Sequence, residues 1–287
     1  MKLLFFAPLF LTAAAGFAQP PAASTRGLSV VRPTLHYKQE EGAAIADTYK
    51  YTAGELLYFS FRIGGFTVQK DKVDLRWQLV AVDPDGLLLM APLNGTIQEE
   101  LSDNDKNWLP KVAQTLPLPA QLPPGAYKLK LHVADEFAKT SIDTETGFNV
   151  SGRPLPVVQG LSILNLRFLR NPTDRQAMEN AIYHAGETLI ARFELAGFQL
   201  GEKNRFQVDY SLSVLNAAGK VLFSQPQAAS ETNSPYYPQR LLNGELTLNL
   251  NAGVLAAEYA LLVKVKDHVA GVETESTAKF TVAPPPN

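Results

Sequence analysis

The chain of 287 residues contains no cysteine. This absence excludes disulfides, thiolate metal sites, a cysteine nucleophile and attachment to a membrane through a lipidated N-terminal cysteine. The length suits two domains of ordinary size. A domain of about 120 residues buries roughly two-thirds of its unfolded surface, so packing alone can stabilise each one.

An excess of either charge is also missing. The chain has 26 lysines and arginines against 28 aspartates and glutamates, which gives a net charge of −2. We find no run of lysine and arginine that would form a basic patch, so we expect neither nucleic acid nor an anionic membrane as partner. Apolar residues make up 46% and charged residues 19%, a balance typical of globular proteins.

Long apolar runs are missing except at the N-terminus. Met1 and Lys2 form a positive segment, residues 3–15 are apolar, and residues 16–18 include the small residues that a signal peptidase reads. We predict a signal peptide over residues 1–18 with cleavage before Gln19, or alternatively after Ala15. A membrane anchor is the other interpretation, but the run is shorter than the ~20 residues of a spanning helix. The predicted location is periplasmic or extracellular, with no transmembrane segment after cleavage.

The sequence repeats itself at an offset near 132 residues, and we name the two repeats copy one and copy two. Residues 51–59 resemble residues 183–191, and Gly54 and Gly186 are 132 apart (186 − 54). Further matches are Gly65-Phe66 with Gly197-Phe198, Val73-Asp74 with Val208-Asp209, residues 82–86 with 215–219, and Phe148 to Val150 with Phe280 to Val282. The repeat predicts copy one over residues 28–151, a linker over 152–160 that contains Pro154 and Pro156, copy two over 161–282, and a disordered tail over 283–287.

Apolar and polar residues alternate with a period of two in both copies. The pattern is clearest over residues 73–82, 127–133 and 259–265, and it predicts half-buried strands. Pro84 and Gly86 suit a tight turn after the first of these strands. Short strands separated by turns predict an all-β protein of two-sheet sandwiches. We interpret residues 173–183 as a loop or a single turn.

Three motifs give each copy a resemblance to bacterial immunoglobulin-like domains and macroglobulin-type sandwiches. They are Tyr51-x-x-Gly54-Glu55 before an early strand, residues 83–86 in a hairpin, and residues 124–129 ahead of Phe148-x-Val150. The resemblance covers almost all of each copy and implies two tandem Ig-like antiparallel β-sandwiches related by internal duplication. It is a family that includes adhesins, accessories of extracellular enzymes and envelope scaffolds. The thioester of protease-trapping macroglobulins needs a cysteine, so that function is excluded.

The residues give no catalytic motif. None of the four histidines, at positions 36, 132, 184 and 268, stands three or four residues from another, so no metal-binding pair is prearranged on a helix face. No Gly-x-Ser-x-Gly elbow and no phosphate-binding loop is present, and Gly64-Gly65 fits a strand end or a bulge. We therefore predict a non-catalytic protein without a cofactor.

Calcium is a further hypothesis, because four aspartates in two loops supply the hard oxygen ligands that Ca²⁺ prefers: Asp83, Asp85, Asp103 and Asp105. Neither loop matches an EF-hand, and copy two has Asn216 and Ala218 in place of the first two aspartates. The alternative is that these aspartates hydrogen-bond the backbone of their own turns.

Two segments depart from the repeat and contain the candidate interface residues. Residues 99–112 include Trp108, and residues 225–242 include Tyr236, Tyr237 and Arg240. Tyrosine, tryptophan and arginine combine contact area with hydrogen bonding, which suits a protein interface, and aromatic rings also suit stacking on sugars. The alternative is that the aromatic rings only cover an open edge of the sandwich.

These observations predict an exported, non-catalytic binding or scaffold protein that mediates protein–protein interaction in the envelope or outside the cell. Its partner would be another envelope or extracellular protein. A carbohydrate-binding protein with a polysaccharide ligand is the alternative, and a passive structural spacer is a more distant one.

Overall fold

The computed structural model describes residues 27–105 and 107–284. The predicted signal peptide and the last three residues of the predicted disordered C-terminal segment lie outside it. Sixteen strands and two short 3-10 turns make up its regular structure. The strands of copy one are β1 (Ser29–His36), β2 (Lys50–Thr52), β3 (Leu56–Gly64), β4 (Lys72–Val82), β5 (Leu93–Glu100), β6 (Lys111–Pro117), β7 (Gly125–Asp135) and β8 (Thr140–Ser151). Those of copy two are β9 (Ser162–Leu169), β10 (Ile182–His184), β11 (Thr188–Ala196), β12 (Phe206–Asn216), β13 (Val221–Asn233), β14 (Leu241–Asn249), β15 (Ala257–Asp267) and β16 (Val272–Ala283).

Each copy consists of a five-stranded sheet and a three-stranded sheet. In copy one the strand orders are β2-β8-β7-β4-β5 and β1-β3-β6, and in copy two they are β10-β16-β15-β12-β13 and β14-β11-β9. Every strand of copy one has a counterpart in copy two at the same place in its sheet. The prediction of an all-β protein with two similar halves is confirmed.

One short strand of each copy departs from the antiparallel pairing expected of these sandwiches. β2 pairs in parallel with β8, and β10 pairs in parallel with β16. Each of these strands is three residues long, too short for a sequence pattern to indicate the direction of its neighbour.

The alternating residues of the long strands form the two cores. Along β4, Val73, Leu75, Trp77 and Leu79 are buried, while the residues between them face outward. Trp77 lies against Gly95 of the neighbouring β5, where an added Cβ would come within 2.4 Å of the indole ring. Copy two has an equivalent core of its own, so each half buries its own apolar face.

Strand pairing gives the correct alignment of the copies along β4 and β12. Leu75 pairs with Asp135, and Val208 pairs with Asp267 at the same position of the second hairpin. The counterpart of Val208 is therefore Leu75, and the match of Val73-Asp74 with Val208-Asp209 was wrong by two residues. A period of two permits this error, because a shift of two residues keeps every side chain on the same face.

The two segments that depart from the repeat are shorter loops than the sequence predicted. Residues 99–100 belong to β5 and residues 111–112 to β6, while residues 225–233 belong to β13 and residues 241–242 to β14. β13 was missed because most of its residues are exposed on both faces, so it lacks the apolar alternation of a half-buried strand. The segment 173–183 is irregular up to the start of β10, in agreement with its interpretation as a loop.

Candidate functional site

Each copy has two ends, which we name head and tail. The head of copy one carries the β3–β4 and β5–β6 loops, and the head of copy two carries the equivalent β11–β12 and β13–β14 loops. The tail of copy one carries the turn that follows β4 and the β6–β7 loop. The tail of copy two carries the turn that follows β12 and the β14–β15 loop. The head of copy two lies against the tail of copy one, and we call this contact the junction.

Tyr237 is the central side chain of the junction. It lies in the β13–β14 loop, is 8% exposed and packs into the core of copy one. Its hydroxyl donates a hydrogen bond of 2.9 Å to Oδ2 of Asp83. Burial, together with this bond to a carboxylate, raises the pKa of Tyr237, so the phenol remains a donor. Tyr237 is therefore engaged within the chain and is not available to an external partner, which corrects its assignment as a candidate interface residue.

Asp83 holds both the junction and its own turn. Its Oδ1 accepts hydrogen bonds from the backbone N–H groups of Asp85 at 2.9 Å and Leu87 at 2.8 Å. In copy two, Oδ1 of Asn216 holds the equivalent turn through the N–H groups of Ala218 and Lys220. Both oxygens of Asp83 are engaged within the protein, as expected for an aspartate that caps a turn. In the described part of the chain, no group of three or more Asp, Glu, His or Cys side chains is placed to hold a metal ion.

An ion pair between Arg153 of the linker and Glu194 of copy two stabilises the junction. Arg153 donates from Nη1 and Nη2 to the two carboxylate oxygens of Glu194, at 2.9 and 2.8 Å. Asn165 donates to the same carboxylate at 2.8 Å. Burial alone would raise the pKa of Glu194, but the hydrogen bonds from Arg153 and Asn165 outweigh it and hold the pKa below its usual range. The segment that leaves copy one is therefore fixed to β11 of copy two.

The two other candidate residues of this loop lie beside the junction. Tyr236 is 52% exposed and lies on a groove of about 380 Å³ between the tail of copy one and the head of copy two. Arg240 is exposed, and its charge acts on the Tyr237 hydroxyl. Tyr236 and Arg240 thus remain accessible, whereas Tyr237 does not.

A larger cleft, of about 750 Å³, lies at the head of copy one between the β3–β4 and β5–β6 loops. Trp108 is half-buried in its wall, and its ring meets that of Phe66 edge-on with 5.9 Å between centroids. The apolar wall continues through Val68, Leu101 and Leu109. We name this site the head cleft.

Acidic residues form the polar part of the head cleft. Asp71, Asp103 and Asp105 all line it. Oδ2 of Asp105 accepts hydrogen bonds from the hydroxyl of Ser102 at 2.7 Å and from its backbone N–H at 2.8 Å, and these bonds lower the pKa of Asp105. Asp103 and Asp105, two of the four aspartates of the calcium hypothesis, lie in a short 3-10 turn close to Trp108 in the sequence.

The sequence analysis missed several residues that organise these ends. Phe66 was noted only as part of the repeat, and the ion pair of Arg153 with Glu194 joins residues that no sequence motif relates. The glutamate of the Tyr-x-x-Gly-Glu motif proves to have a local structural role. Glu55 accepts from the backbone N–H of Thr52 at 2.9 Å, and Glu187 accepts from that of His184 at 2.8 Å.

The fold and the head cleft together define a class of protein: an all-β protein of two similar halves with an aromatic cleft at one end. No family model matches the chain, and no curated protein matches it. Among solved structures, the chain is similar to the crystal structure of red sea bream transglutaminase, with 9% sequence identity and a TM-score of 0.26. The match covers 88% of this chain and 31% of the transglutaminase chain. A similarity this weak says nothing about activity.

Within residues 27–105 and 107–284, no helix is long and apolar enough to span a bilayer.

Proposed function

We propose that this chain is an exported binding or scaffold protein that recognises another envelope or extracellular protein through the head cleft. The observation that carries the proposal is the difference between the two heads. The head of copy two rests on copy one, with Tyr237 8% exposed, whereas the head of copy one leaves Trp108 half-buried in an open cleft. An accessible tryptophan with apolar neighbours and a polar rim is typical of a protein-recognition surface.

The strand order supports an Ig-like class for each half. A short strand pairs in parallel with the last strand, and a tryptophan is buried on β4. The hydroxyl of Tyr127 donates to the carbonyl of Pro123 at 2.7 Å, and Tyr259 does the same with Leu255 at 2.8 Å. A tyrosine that returns to the backbone in this way is a hallmark of immunoglobulin-type sandwiches. Sandwiches of this class serve many functions, so the head cleft and not the fold indicates this one.

A non-catalytic role is part of the proposal. A serine–histidine contact exists, because Oγ of Ser60 lies 2.6 Å from Nε2 of His36. Ser60 is 6% exposed and lies in the middle of β3, where a substrate has no access to its hydroxyl. His132 and His268 pair with Asp143 and Asp209 on other parts of the surface. These contacts are better explained as surface and strand pairings than as a catalytic group.

The test is capture of a partner by crosslinking in the native host, with wild-type protein, Trp108→Ala and a matched control, Tyr236→Ala. We expect one recurrent protein partner that Trp108→Ala loses and Tyr236→Ala retains. Loss with both variants would indicate a different surface, and retention by both would show that the head cleft does not bind the partner.

Carbohydrate binding is the second candidate, and the aromatic pair of the cleft favours it. Trp108 and Phe66 stand beside Asp71, Asp103 and Asn107, a combination of ring faces and hydrogen-bonding groups that suits a sugar. A panel of cell-wall and other polysaccharides distinguishes the two candidates. Retention of a polysaccharide that Trp108→Ala abolishes, without a protein partner, would place carbohydrate binding first.

A further inference from the structure

The chain already contains one head-to-tail contact, which shows what such an end can bind. At the junction, the β13–β14 loop of copy two covers the tail of copy one, and its phenol donor meets the carboxylate acceptor of Asp83. The head cleft of copy one is built from the equivalent pair of loops. Strand pairing makes Trp108 the counterpart of Arg240 (240 − 108 = 132), three residues after Tyr237 in the β13–β14 loop. The surface that the junction uses in copy two is therefore present a second time, and none of the described residues covers it.

The tail of copy two is the counterpart on the other side, and within the described residues it too has no covering segment. Leu122 in the tail of copy one is 5% exposed. Its equivalent Val254 (254 − 122 = 132) is only half-buried, and the adjacent Leu255 is 78% exposed. Apolar side chains therefore remain accessible at both free ends of the molecule, because Val68 and Leu109 at the head cleft are also 46% and 36% exposed.

The polar groups of the free ends are complementary. In copy one the tail offers an acceptor, Asp83, to a head that contains a donor, Tyr237. In copy two the tail has Asn216, whose Oδ1 is engaged by the turn, so its amide nitrogen is the group left for a neighbour. This tail also carries Lys220, together with Glu258 at the start of β15. The head cleft is lined by Asp71, Asp103 and Asp105, with Lys70 next to Asp71 in the same loop. A donor-bearing tail thus faces an acidic head if two molecules align.

We propose that the head cleft of copy one binds the tail of copy two of a second molecule, so that the protein associates head to tail. The inference rests on the proposed function, since it names the partner of the same cleft. Such an interface is heterologous: one molecule contributes its head and the other its tail, and each molecule keeps a free end for further addition.

Sedimentation velocity and light scattering of the mature chain test the inference, over a concentration series to about 1 mM because a small interface can be weak. Asp103→Lys and Trp108→Ala alter the head, and Leu255→Asp alters the tail. Asp103 and Leu255 are exposed, so these two variants keep the fold even if Trp108→Ala does not. Phe223→Asp, on the exposed edge strand β13, is the matched control away from both ends.

We expect concentration-dependent association of wild type and Phe223→Asp, and a monomer for Asp103→Lys and for Leu255→Asp. Mixing the last two should restore a dimer and nothing larger, because one supplies the intact tail and the other the intact head. A monomeric wild type over the whole series would overturn the inference, as would association that persists in both end variants or is lost with Phe223→Asp. If wild type is monomeric while Trp108→Ala still loses a different partner in the crosslinking experiment, the inference fails and the proposed function stands.

Discussion

At the scale of single residues, two buried aspartates at equivalent positions organise the heads of the two copies. Oδ2 of Asp135 accepts from the N–H of Thr67 at 2.7 Å, and Oδ2 of Asp267 accepts from that of Gln199 at 2.8 Å. In both copies the other oxygen accepts two N–H groups of the hairpin that follows: Phe137 and Ala138 in copy one, Val269 and Ala270 in copy two. Each carboxylate therefore ties its hairpin to the loop after β3 or β11.

Asp135→Asn and Asp267→Asn are expected to lower the free energy of unfolding by about 1–3 kcal/mol each, because an amide nitrogen replaces one acceptor and leaves a backbone N–H unpaired. Chemical denaturation followed by circular dichroism measures the change in both variants, and tryptophan fluorescence adds a separate signal for copy one, which contains both tryptophans. Asp143→Asn, at an exposed carboxylate, is the control and should change stability by less than about 0.5 kcal/mol. Equal effects of all three variants would show that the N–H contacts contribute nothing.

The pKa values of Asp135 and Glu194 predict acid sensitivity. Burial alone would raise the pKa of Asp135, but hydrogen bonds from the backbone of Ala138, Thr67 and Phe137 hold it below its usual range, and the pKa of Glu194 is also lowered. A lowered folded-state pKa contributes stability that is present above the unfolded-state values of about 3.9 for Asp and 4.3 for Glu. This contribution is lost as the pH falls through the folded-state pKa.

We therefore expect the melting temperature to drop below about pH 4 and to do so less steeply in Glu194→Gln, which lacks one of the two buried carboxylates with a lowered pKa. Differential scanning calorimetry between pH 7 and pH 2 measures the slope. A double variant, Asp135→Asn with Glu194→Gln, that loses stability as steeply as wild type would refute the assignment to these groups.

Sequence reasoning at this scale succeeded where a side chain acts within its own loop and failed where it acts across the chain. The hydrogen-bonding role of Asp83 in its turn follows from the turn itself, and Trp108 was singled out as an aromatic residue in a polar segment. Tyr237 was assigned to the surface because nothing in the loop sequence shows that copy one covers it. Its bond to Asp83 joins residues 154 positions apart.

At the scale of elements, one close approach between neighbouring strands restricts substitution. An added Cβ at Gly95 of β5 would come within 2.4 Å of the ring of Trp77, which is 7% exposed and has no room to move. Gly147 of β8 differs, because its nearest such contact is 4.0 Å away. The two glycines therefore provide a test position and a matched control for an added Cβ within one sheet.

Gly95→Ala is expected to destabilise the protein by about 1–3 kcal/mol through overpacking, and the fluorescence of Trp77 should report the displaced ring. Gly147→Ala should leave stability unchanged or raise it slightly, because alanine reduces the entropy of the unfolded chain. Urea denaturation of the two variants provides the comparison. Similar values for both would contradict the close approach.

The strands that sequence predicted and the one that it missed differ in burial. β4 and β7 bury one face, so their residues alternate and the period of two identifies them. β13 pairs with β12 but leaves most residues exposed on both faces, including Val221, Leu222 and Phe223. Apolar and polar residues alternate along a strand only where a second sheet covers one of its faces. A strand that extends beyond that second sheet therefore lacks the alternation that identifies strands in the sequence.

At the scale of the whole molecule, the junction couples the two halves. Tyr237→Phe removes the donor from Asp83, which is 6% exposed, and the uncompensated carboxylate oxygen should cost about 1–3 kcal/mol. Thermal unfolding should show the loss, and Tyr236→Phe, at a 52% exposed side chain, should not.

A double-mutant cycle with Asp83→Asn separates the contact from the turn. Coupling above about 0.5 kcal/mol between the substitutions at positions 83 and 237 would establish the bond as a link between the halves. Additive effects would mean that the two side chains stabilise their own copies independently.

The arrangement of the halves lies beyond sequence reasoning for a physical reason. The repeat reveals that two similar units exist, but both units carry the same kinds of loop at each end. Which end meets which is decided by contacts between side chains far apart in sequence, such as Arg153 with Glu194.

The turns at Asp83 and Asn216 make the same backbone contacts and differ in one atom, an oxygen in the first and a nitrogen in the second. This difference sets the direction of the hydrogen bond at each contact between units. Where a first unit supplies the tail, the phenol of Tyr237 donates to a carboxylate, and where a second unit supplies it, the phenol would accept from an amide N–H. Hydrogen bonds to a charged group are the stronger ones, so an engineered array should be most stable where each Tyr237 meets the tail of a first unit.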